Sequence, residues 1–443
     1  MRKTTLILFT AIGLQLSAQT NPAITSWLRN TTGIMGRHYV SGNSTPINDA
    51  VLANVQSVQY NTTNVYVSAT GIPAYITGPF QDGNPSLATA QNSIFKLPLN
   101  PTQNTGTATA TTPGNIGVFI NGVALFDYRD GVAWNNNSQS ICGGPGNAMC
   151  PGGPGAAQTW NRDAIPAERA GFDCAKAHPA MGNYHHHQNP SAFNLDLVVA
   201  STICDTYPSD GLYVINSAQH APILGFAYDG FPIYGAYAYS NTDGTGGISR
   251  MKSGYQLNTN TTRANGPAIN ATYFNGYFRE DYIYVAHPSD PTFLDIHNGR
   301  FSVTPEYPDG IYCYFTTVDA NHNSAYPYVV GPTFYGNVVA SKVTSVPAGT
   351  TTYLAVDTFD LSKTKITVYP NPASDFVAIQ TDLIETDLAV ELIDESGKIV
   401  KSGKVLQGST LFILETDTIY NGIYFIKIIG NSQQQTFKLI IKK

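Results

Sequence analysis

Histidine is scarce in this chain, with 9 among 443 residues, yet His185, His186 and His187 are consecutive and His178 lies shortly before them. Alternate side chains of an extended strand share a face, so His185 and His187 are expected to point one way and His186 the other. Cα atoms two residues apart in a strand are separated by roughly 6.6 Å, so both imidazoles can reach one ion through bonds of about 2.0–2.1 Å. The spacing therefore predicts a metal site.

His178 is the candidate for a third ligand of this ion. It precedes a turn of small residues at 180–182, and a hairpin-like return of the chain would bring its ring to the same place. Three neutral imidazoles with an open fourth position are typical of catalytic zinc and also suit Cu(II). Asp173 is the candidate neighbour that would fix the tautomer of one imidazole. The alternative interpretation is a solvated histidine-rich loop, or histidines that stack on the many tyrosines.

The elements that must position these residues have the pattern of strands and turns. Short segments rich in Val, Ile, Thr and Tyr, such as 55–60, 64–68 and 116–126, alternate with Asn-Gly, Asp-Gly and Pro-Gly turns. Charged residues make up only 12% of the chain, which leaves few of the long charged side chains that helices carry on their outer faces. We therefore predict an all-β fold, mainly strands with few short helices.

The middle of the chain contains two similar stretches, which indicates an internal repeat. Residues 117–126 and 225–234 both have the pattern of a strand, an Asn-Gly or Asp-Gly turn and a second short strand, which is typical of a hairpin. Later features keep their order while their spacing grows, as loop insertions would cause. The sequence predicts two similar β-rich halves, at about 90–205 and 206–340, packed around a pseudo-two-fold axis.

An aspartate and then a Gly-x-Tyr aromatic run follow each of the two stretches. In the first half these are Asp173 and 182–187, and in the second half they are Asp295 and 310–315. The second run carries no histidine, so the predicted metal site belongs to the first half alone.

Three polar residues of the second half are open to more than one interpretation. Cys313 aligns with His185 and is either a ligand or, as we prefer, a small buried apolar residue. His297 is a candidate fourth ligand that would reach across the pseudo-symmetric interface. Arg300 either binds an anion or forms an ion pair with Glu306 or Asp295.

With these features, the region from about residue 90 to 340 resembles the YHYH-domain family, which is named for a Tyr-His-Tyr-His motif. The residues that carry the resemblance are Asn121-Gly122, Asp173-Cys174, His178-Pro179, 184–187, 229–235, 298–300, 308–312 and Pro327-Tyr328. The chain departs from the motif with Tyr-His-His-His at 184–187 and Tyr-Cys-Tyr-Phe at 312–315. The resemblance implies an architecture and the position of a site, and it implies no reaction.

Residues 364–443 form a predicted separate unit behind a Thr-rich linker at 346–363. The unit contains Tyr-Pro-Asn-Pro at 369–372, a Ser-Gly-Lys turn at 396–398 and a terminal Lys-Lys pair. These motifs resemble the type A sorting domain of the type IX secretion system, and the length suits a small immunoglobulin-like β-sandwich. The resemblance implies that the type IX machinery is a partner and that the protein is secreted or held on the surface of a Gram-negative bacterium.

The first residues have the pattern of a secretory signal peptide. Two basic residues precede an apolar run at 6–16, and small residues lead to a cleavage site after Ala18. The apolar run is too short to span a bilayer, and the sequence offers no other integral membrane segment. We expect 1–18 to be removed, which leaves 19–345 as the YHYH-type domain.

The 5 cysteines fit an oxidising compartment. Cys142 and Cys150 bracket a Gly/Pro-rich loop that they could close, and Cys174 and Cys204 could close a longer one. That pairing would leave Cys313 single, and the sequence alone does not fix the connectivity.

The net charge and the absence of several known motifs reduce the number of possible functions. A formal net charge of −6 without a basic stripe disfavours nucleic acid as a partner. The sequence lacks a Gly-x-Ser-x-Gly elbow, a His-Glu-x-x-His helix, a phosphate loop and a dinucleotide fingerprint, which disfavours serine hydrolases, zincin proteases and nucleotide cofactors.

Several functions stay open at this stage. The first is an exported protein with a Zn or Cu site, with or without metalloenzyme activity. The second is a non-catalytic module that binds glycan or matrix through exposed aromatics such as Tyr234, Tyr237 and Tyr239. A structural or adhesive role without a small ligand is the third.

Overall fold

The chain is mainly β-structure in the computed structural model, as the sequence predicts. The structure describes residues 21–81, 87–144, 146–152, 158–198, 202–339, 341–354, 364–382, 384, 387–406, 409–430 and 433–443. It divides into two compact units, Met1–Tyr353 and Leu354–Lys443. The predicted signal peptide, 1–18, lies outside the described residues. Within the described ranges, no helix combines the length and the apolar character needed to cross a bilayer.

The larger unit consists of short strands with a few single-turn helices. Its strands are β1 (Met35–Val40), β2 (Asn43–Leu52), β3 (Val55–Tyr60), β4 (Asn64–Ala69), β5 (Ile76–Thr77), β6 (Ser93–Pro98), β7 (Asn115–Phe119), β8 (Ala124–Phe126), β9 (Arg129–Asn135), β10 (Ser140–Cys142), β11 (Asn161–Asp163), β12 (His178–Ala180), β13 (Asn183–His186), β14 (Ile223–Ala227), β15 (Pro232–Tyr234), β16 (Tyr237–Tyr239), β17 (Ile248–Arg250), β18 (Tyr255–Leu257), β19 (Tyr282–Tyr284), β20 (Gly299–Ser302), β21 (Ile311–Phe315), β22 (Ser341–Val343) and β23 (Thr351–Thr352). Its helices are α1 (Pro22–Thr25), α2 (Ala164–Glu168) and α3 (Ile203–Thr206), with 3₁₀ turns at Arg169–Gly171, Phe193–Leu195 and Arg279–Asp281.

An eight-stranded sheet is the centre of the larger unit, with the order β12-β13-β8-β7-β14-β15-β21-β20. On each side of the antiparallel β7–β14 pair there follows an antiparallel strand, then a parallel strand and finally an antiparallel edge strand. In the two edge pairs, His178 lies opposite His185 and Arg300 lies opposite Cys313. A duplicated unit packed about a pseudo-two-fold axis would produce this arrangement.

Apolar side chains cover both faces of the central sheet. On one face, Val118 and Phe226 belong to a core that includes Phe95 from the antiparallel sheet β22-β6-β4-β3-β23. On the other face, Phe119 belongs to a core with Tyr328 and other loop residues. Neighbouring residues of a strand point to opposite faces, and here both faces are covered. The sequence of β7 is therefore a continuous apolar run rather than an alternating one.

The predicted linker at 346–363 does not lie wholly between the units. Thr351–Thr352 forms β23 and pairs with β3 in the sheet of the larger unit. Residues 355–363 lie outside the described residues.

The smaller unit is built from antiparallel strands in two sheets, β24-β25-β28 and β27-β26-β29-β30. The strands are β24 (Ile366–Tyr369), β25 (Phe376–Thr381), β26 (Leu388–Asp394), β27 (Ile399–Val405), β28 (Leu411–Glu415), β29 (Gly422–Gly430) and β30 (Gln433–Ile441). Val377 and Leu414 from the first sheet share one apolar core with Leu392 and Ile426 from the second. This unit therefore has a core of its own.

Two disulfides join the pairs that the sequence suggested, Cys142–Cys150 and Cys174–Cys204. Cys313 is a free and buried thiol. A closed loop lowers the entropy of the unfolded chain, so both disulfides stabilise the larger unit.

The turn between β7 and β8 depends on a glycine. Gly122 has a φ of +81°, and its amide donates to the carbonyl oxygen of Phe119 at 2.8 Å. A Cβ atom added there would lie 2.3 Å from the Cβ atom of Ala69 in β4. The turn therefore packs directly against the sheet that contains β4.

We expect Gly122→Ala to destabilise the larger unit more than Gly131→Ala. Gly131 has a φ of +83° but no heavy atom near an added Cβ, so its replacement costs only the backbone strain of about 1–2 kcal/mol. Gly122→Ala adds a steric clash of about 1–3 kcal/mol. Thermal unfolding of both variants of the full chain measures the difference, and equal losses would contradict the close packing of this turn.

Candidate metal centre

A tight hairpin, β12 to β13, carries His178 and His185, and His187 follows its second strand directly. The turn passes through Met181 and Gly182 at φ values of 49° and 83°. The register places His178 directly opposite His185, so the predicted return of the chain is present. The disulfide Cys174–Cys204 closes the loop that contains the hairpin.

The side chains of His178, His185 and His187 are brought together and buried, with exposed fractions of 6%, 2% and 4%. One possible ligand atom from each lies within 4.8 Å of the others. The Nε2 atoms of His185 and His187 are 3.1 Å apart. His186 points to the other side, where its Nε2 atom lies 2.8 Å from the hydroxyl of Tyr75. The alternation of faces therefore holds in the structure.

Backbone carbonyl oxygens set the tautomers of two of these rings. Nδ1 of His185 lies 2.8 Å from the carbonyl oxygen of Asn183, and Nδ1 of His187 lies 2.5 Å from that of Asp127. A carbonyl oxygen can only accept, so each Nδ1 carries the proton and each Nε2 of a neutral ring presents a lone pair. Two lone pairs thus face each other at 3.1 Å. Ligand atoms of a tetrahedral ion with bonds of about 2.0–2.1 Å are separated by about 3.3 Å.

Aromatic packing holds the rings, and burial keeps them neutral. Phe126 stacks on His185 with the ring centroids 3.8 Å apart, and Phe172 meets His178 edge-on at 4.9 Å. Burial lowers the pKa of His185 well below its ordinary value, and the neighbouring His187 and His178 lower it further. Burial likewise lowers the pKa of His187. Neutral imidazole is the form that binds metals.

Glu168 is part of this cluster, and the sequence analysis did not find it. It is the last residue of α2, and its Oε2 atom is 3.4 Å from Nε2 of His178 and 3.4 Å from Nε2 of His187. Oε2 is buried and has no hydrogen-bond donor of normal geometry among the described residues. Burial raises the pKa of Glu168, but the adjacent His178 and His187 lower it, and the net direction is downward. The carboxylate is therefore ionised at neutral pH.

Asp173 does not have the predicted role. Its carboxylate accepts hydrogen bonds from the amides of Gly78, Ala175 and Ala177 and from the hydroxyl of Tyr184. These donors hold the loop before β12 and fix the buried tyrosine. Backbone carbonyl groups set the tautomers of His185 and His187 instead, and none of these hydrogen bonds of Asp173 goes to an imidazole, so the predicted role of Asp173 is wrong.

His297 and Cys313 also lie outside the cluster. Nδ1 of His297 is 2.7 Å from Oγ1 of Thr333, so the expected reach across the interface is not seen. The thiol of Cys313 is fully buried in the apolar core and faces the carbonyl oxygen of Ile311. Neither belongs to a ligand group in the described part of the chain, and Cys313 has the buried position that we preferred.

The fold and this site define an all-β protein with a buried three-histidine cluster on the edge of its main sheet, followed by a separate β-unit. Two family models match the chain, YHYH protein at residues 94–327 and secretion system C-terminal sorting domain at residues 367–442. The first match covers more than half of the chain, and the protein belongs to the YHYH family. No curated protein matches the sequence.

The sorting domain places the protein outside the cell. A type IX secretion C-terminal sorting domain indicates a secreted or cell-surface protein of Bacteroidetes-type bacteria, handled by the type IX machinery. Disulfides persist in such oxidising surroundings, which agrees with the two that the larger unit contains.

We expect Asp173→Asn to lower the free energy of unfolding of the larger unit by about 2 kcal/mol, because an amide keeps only one accepting oxygen for four buried donors. Asp243→Asn is the matched control. That residue is exposed, and both of its hydrogen bonds, from the amide and hydroxyl of Thr245, go to one oxygen that asparagine retains. Denaturant unfolding of both variants provides the comparison, and a stable Asp173→Asn protein would contradict the assigned role.

Proposed function

We propose that this exported protein binds a divalent transition-metal ion, Zn or Cu(II), through His178, His185 and His187. The observation that carries the proposal is the approach of two Nε2 atoms to 3.1 Å while both Nδ1 atoms face carbonyl oxygens. Two buried lone pairs in this position repel each other unless a cation lies between them. A divalent metal ion relieves the repulsion and uses the lone pairs as ligands.

Arg300 in the second half of the sheet supports the proposal that a cation lies among the three histidines. Arg300 lies opposite Cys313 as His178 lies opposite His185, and the Arg300 side chain is 8% exposed. We infer that the two halves are repeats of one unit. In the second copy a guanidinium supplies the positive charge that an ion supplies in the first.

The contacts of Arg300 fit a fixed cation rather than a site for an anion. Its guanidinium donates to the carbonyl oxygens of Ser240, Pro291 and Tyr239 and to the hydroxyl of Ser302. The acceptors are all neutral, and the expected ion pair with an acidic neighbour is not found among the described residues. Burial lowers the pKa of Arg300 to about 10, so the side chain is still charged at neutral pH.

A glycan-binding role has less support. Tyr234 is fully buried, and its hydroxyl contacts Thr304 at 2.8 Å and Glu306 at 2.9 Å. Its face therefore cannot stack on a sugar. Tyr237 and Tyr239 are only partly exposed.

Elemental analysis of the purified full chain tests the metal proposal. We expect about one equivalent of Zn or Cu after incubation with either ion and desalting, and none in the double variant His185→Ala with His187→Ala. His287→Ala is the control, because that ring stacks on Phe293 away from the cluster. A wild-type chain without metal, or a double variant that binds as much, would refute the proposal. If the wild-type chain binds no metal, a proton shared between the Nε2 atoms of His185 and His187 would explain why these atoms lie so close together.

Removal of 364–443 is expected to prevent the protein from crossing the outer membrane, so that it stays on the periplasmic side. The larger unit has its own cores and would still fold, but it would lack the sorting domain that the machinery recognises. Cell fractionation followed by immunoblotting measures the distribution. The double variant His185→Ala with His187→Ala should reach the exterior as the wild type does, because metal binding and sorting belong to different units.

A further inference from the structure

We propose that Glu168 is a fourth protein ligand, so that the centre has three imidazoles and one carboxylate. This inference rests on the proposed metal binding by His178, His185 and His187. It replaces the open fourth position expected from the three histidines with a position that the protein itself can fill.

The distances place a carboxylate oxygen among the ligand atoms. Oε2 of Glu168 is 3.4 Å from Nε2 of His178 and 3.4 Å from Nε2 of His187. The separation of ligand atoms around a tetrahedral ion is about 3.3 Å, close to both values. The same oxygen is buried without a hydrogen-bond donor of normal geometry among the described residues, so it retains lone pairs for an ion.

The helix that carries Glu168 is firmly anchored. Asp163 caps α2 by accepting from the amide of Ile165 at 3.0 Å, and its other oxygen accepts from the hydroxyl of Tyr328 at 2.6 Å. Ala164 and Ile165 are buried. The glutamate therefore extends from a fixed element rather than from a mobile surface segment.

Charge balance also favours the carboxylate. A divalent ion held by three neutral imidazoles would leave two positive charges in a buried site, which is costly in a medium of low dielectric constant. One carboxylate ligand halves that charge.

The fourth ligand changes what the centre can do. A tetrahedral zinc ion would have all its positions filled by protein, as in structural sites. A metal ion that takes five or six ligands would keep positions for water or for another oxygen donor. Chemistry at this centre therefore depends on the coordination number of the ion that is bound.

Cobalt binding to the full chain tests the role of Glu168. We expect Glu168→Gln to bind Co²⁺ roughly ten- to a hundredfold more weakly than the wild type and to show a changed visible absorption spectrum. Glu306→Gln is the control, because that carboxylate accepts from Tyr234 in the other half of the sheet and should leave both readouts unchanged. The infrared difference between metal-loaded and metal-free wild type should show a shifted carboxylate band that Glu168→Gln lacks.

The outcomes separate this inference from the proposed function. If the wild type binds no ion, the proposed metal binding and the role of Glu168 as a ligand are both refuted. If the wild type binds Co²⁺ and Glu168→Gln binds it equally well with the same spectrum, the fourth ligand is refuted while the three-histidine site stands. If the variant does not fold, the wild-type infrared difference still decides, because an unshifted carboxylate band overturns the inference.

Discussion

Two hydrogen bonds from imidazole Nδ1 groups to backbone carbonyl oxygens determine the chemistry of the histidine cluster. They leave the Nε2 atoms of His185 and His187 unprotonated and directed at each other. A different tautomer of either ring would place a hydrogen in the gap and turn the contact into an ordinary hydrogen bond. The backbone around Asn183 and Asp127 therefore matters as much as the histidines, since it directs the two lone pairs at each other.

The central sheet supplies this geometry. The parallel pairing of β8 with β13 sets His185 beside Ala124, and the end of β8 then brings Phe126 and the following Asp127 to the rings. Both faces of the sheet are covered, so the rings lie in surroundings that exclude water and strengthen electrostatic interactions. A site on the exposed side of a loop would have none of these constraints.

The two halves of the sheet share one loop arrangement before the edge strand. An aspartate accepts from a tyrosine hydroxyl in each, the buried Asp173 from Tyr184 at 2.8 Å and the partly buried Asp295 from Tyr312 at 2.9 Å. In both loops, amides two and four residues after the aspartate donate to its side chain. These contacts hold a loop before an edge strand. The two halves differ in the residue at the matching position of the edge strand, which is His178 in β12 and Arg300 in β20.

The sequence by itself determined the features that depend on neighbouring residues. The period of two in a strand placed His185 and His187 on one face, and the turn of small residues at 180–182 predicted the return of the chain to the third histidine. The role of Asp173 was misassigned because its donors come partly from a distant loop, which no local pattern reveals. Tertiary structure alone decided the positions of Glu168 and of the Asp127 carbonyl group that sets the tautomer of His187. Those contacts join a helix end and the segment after β8 to the histidines, and only packing brings such segments together.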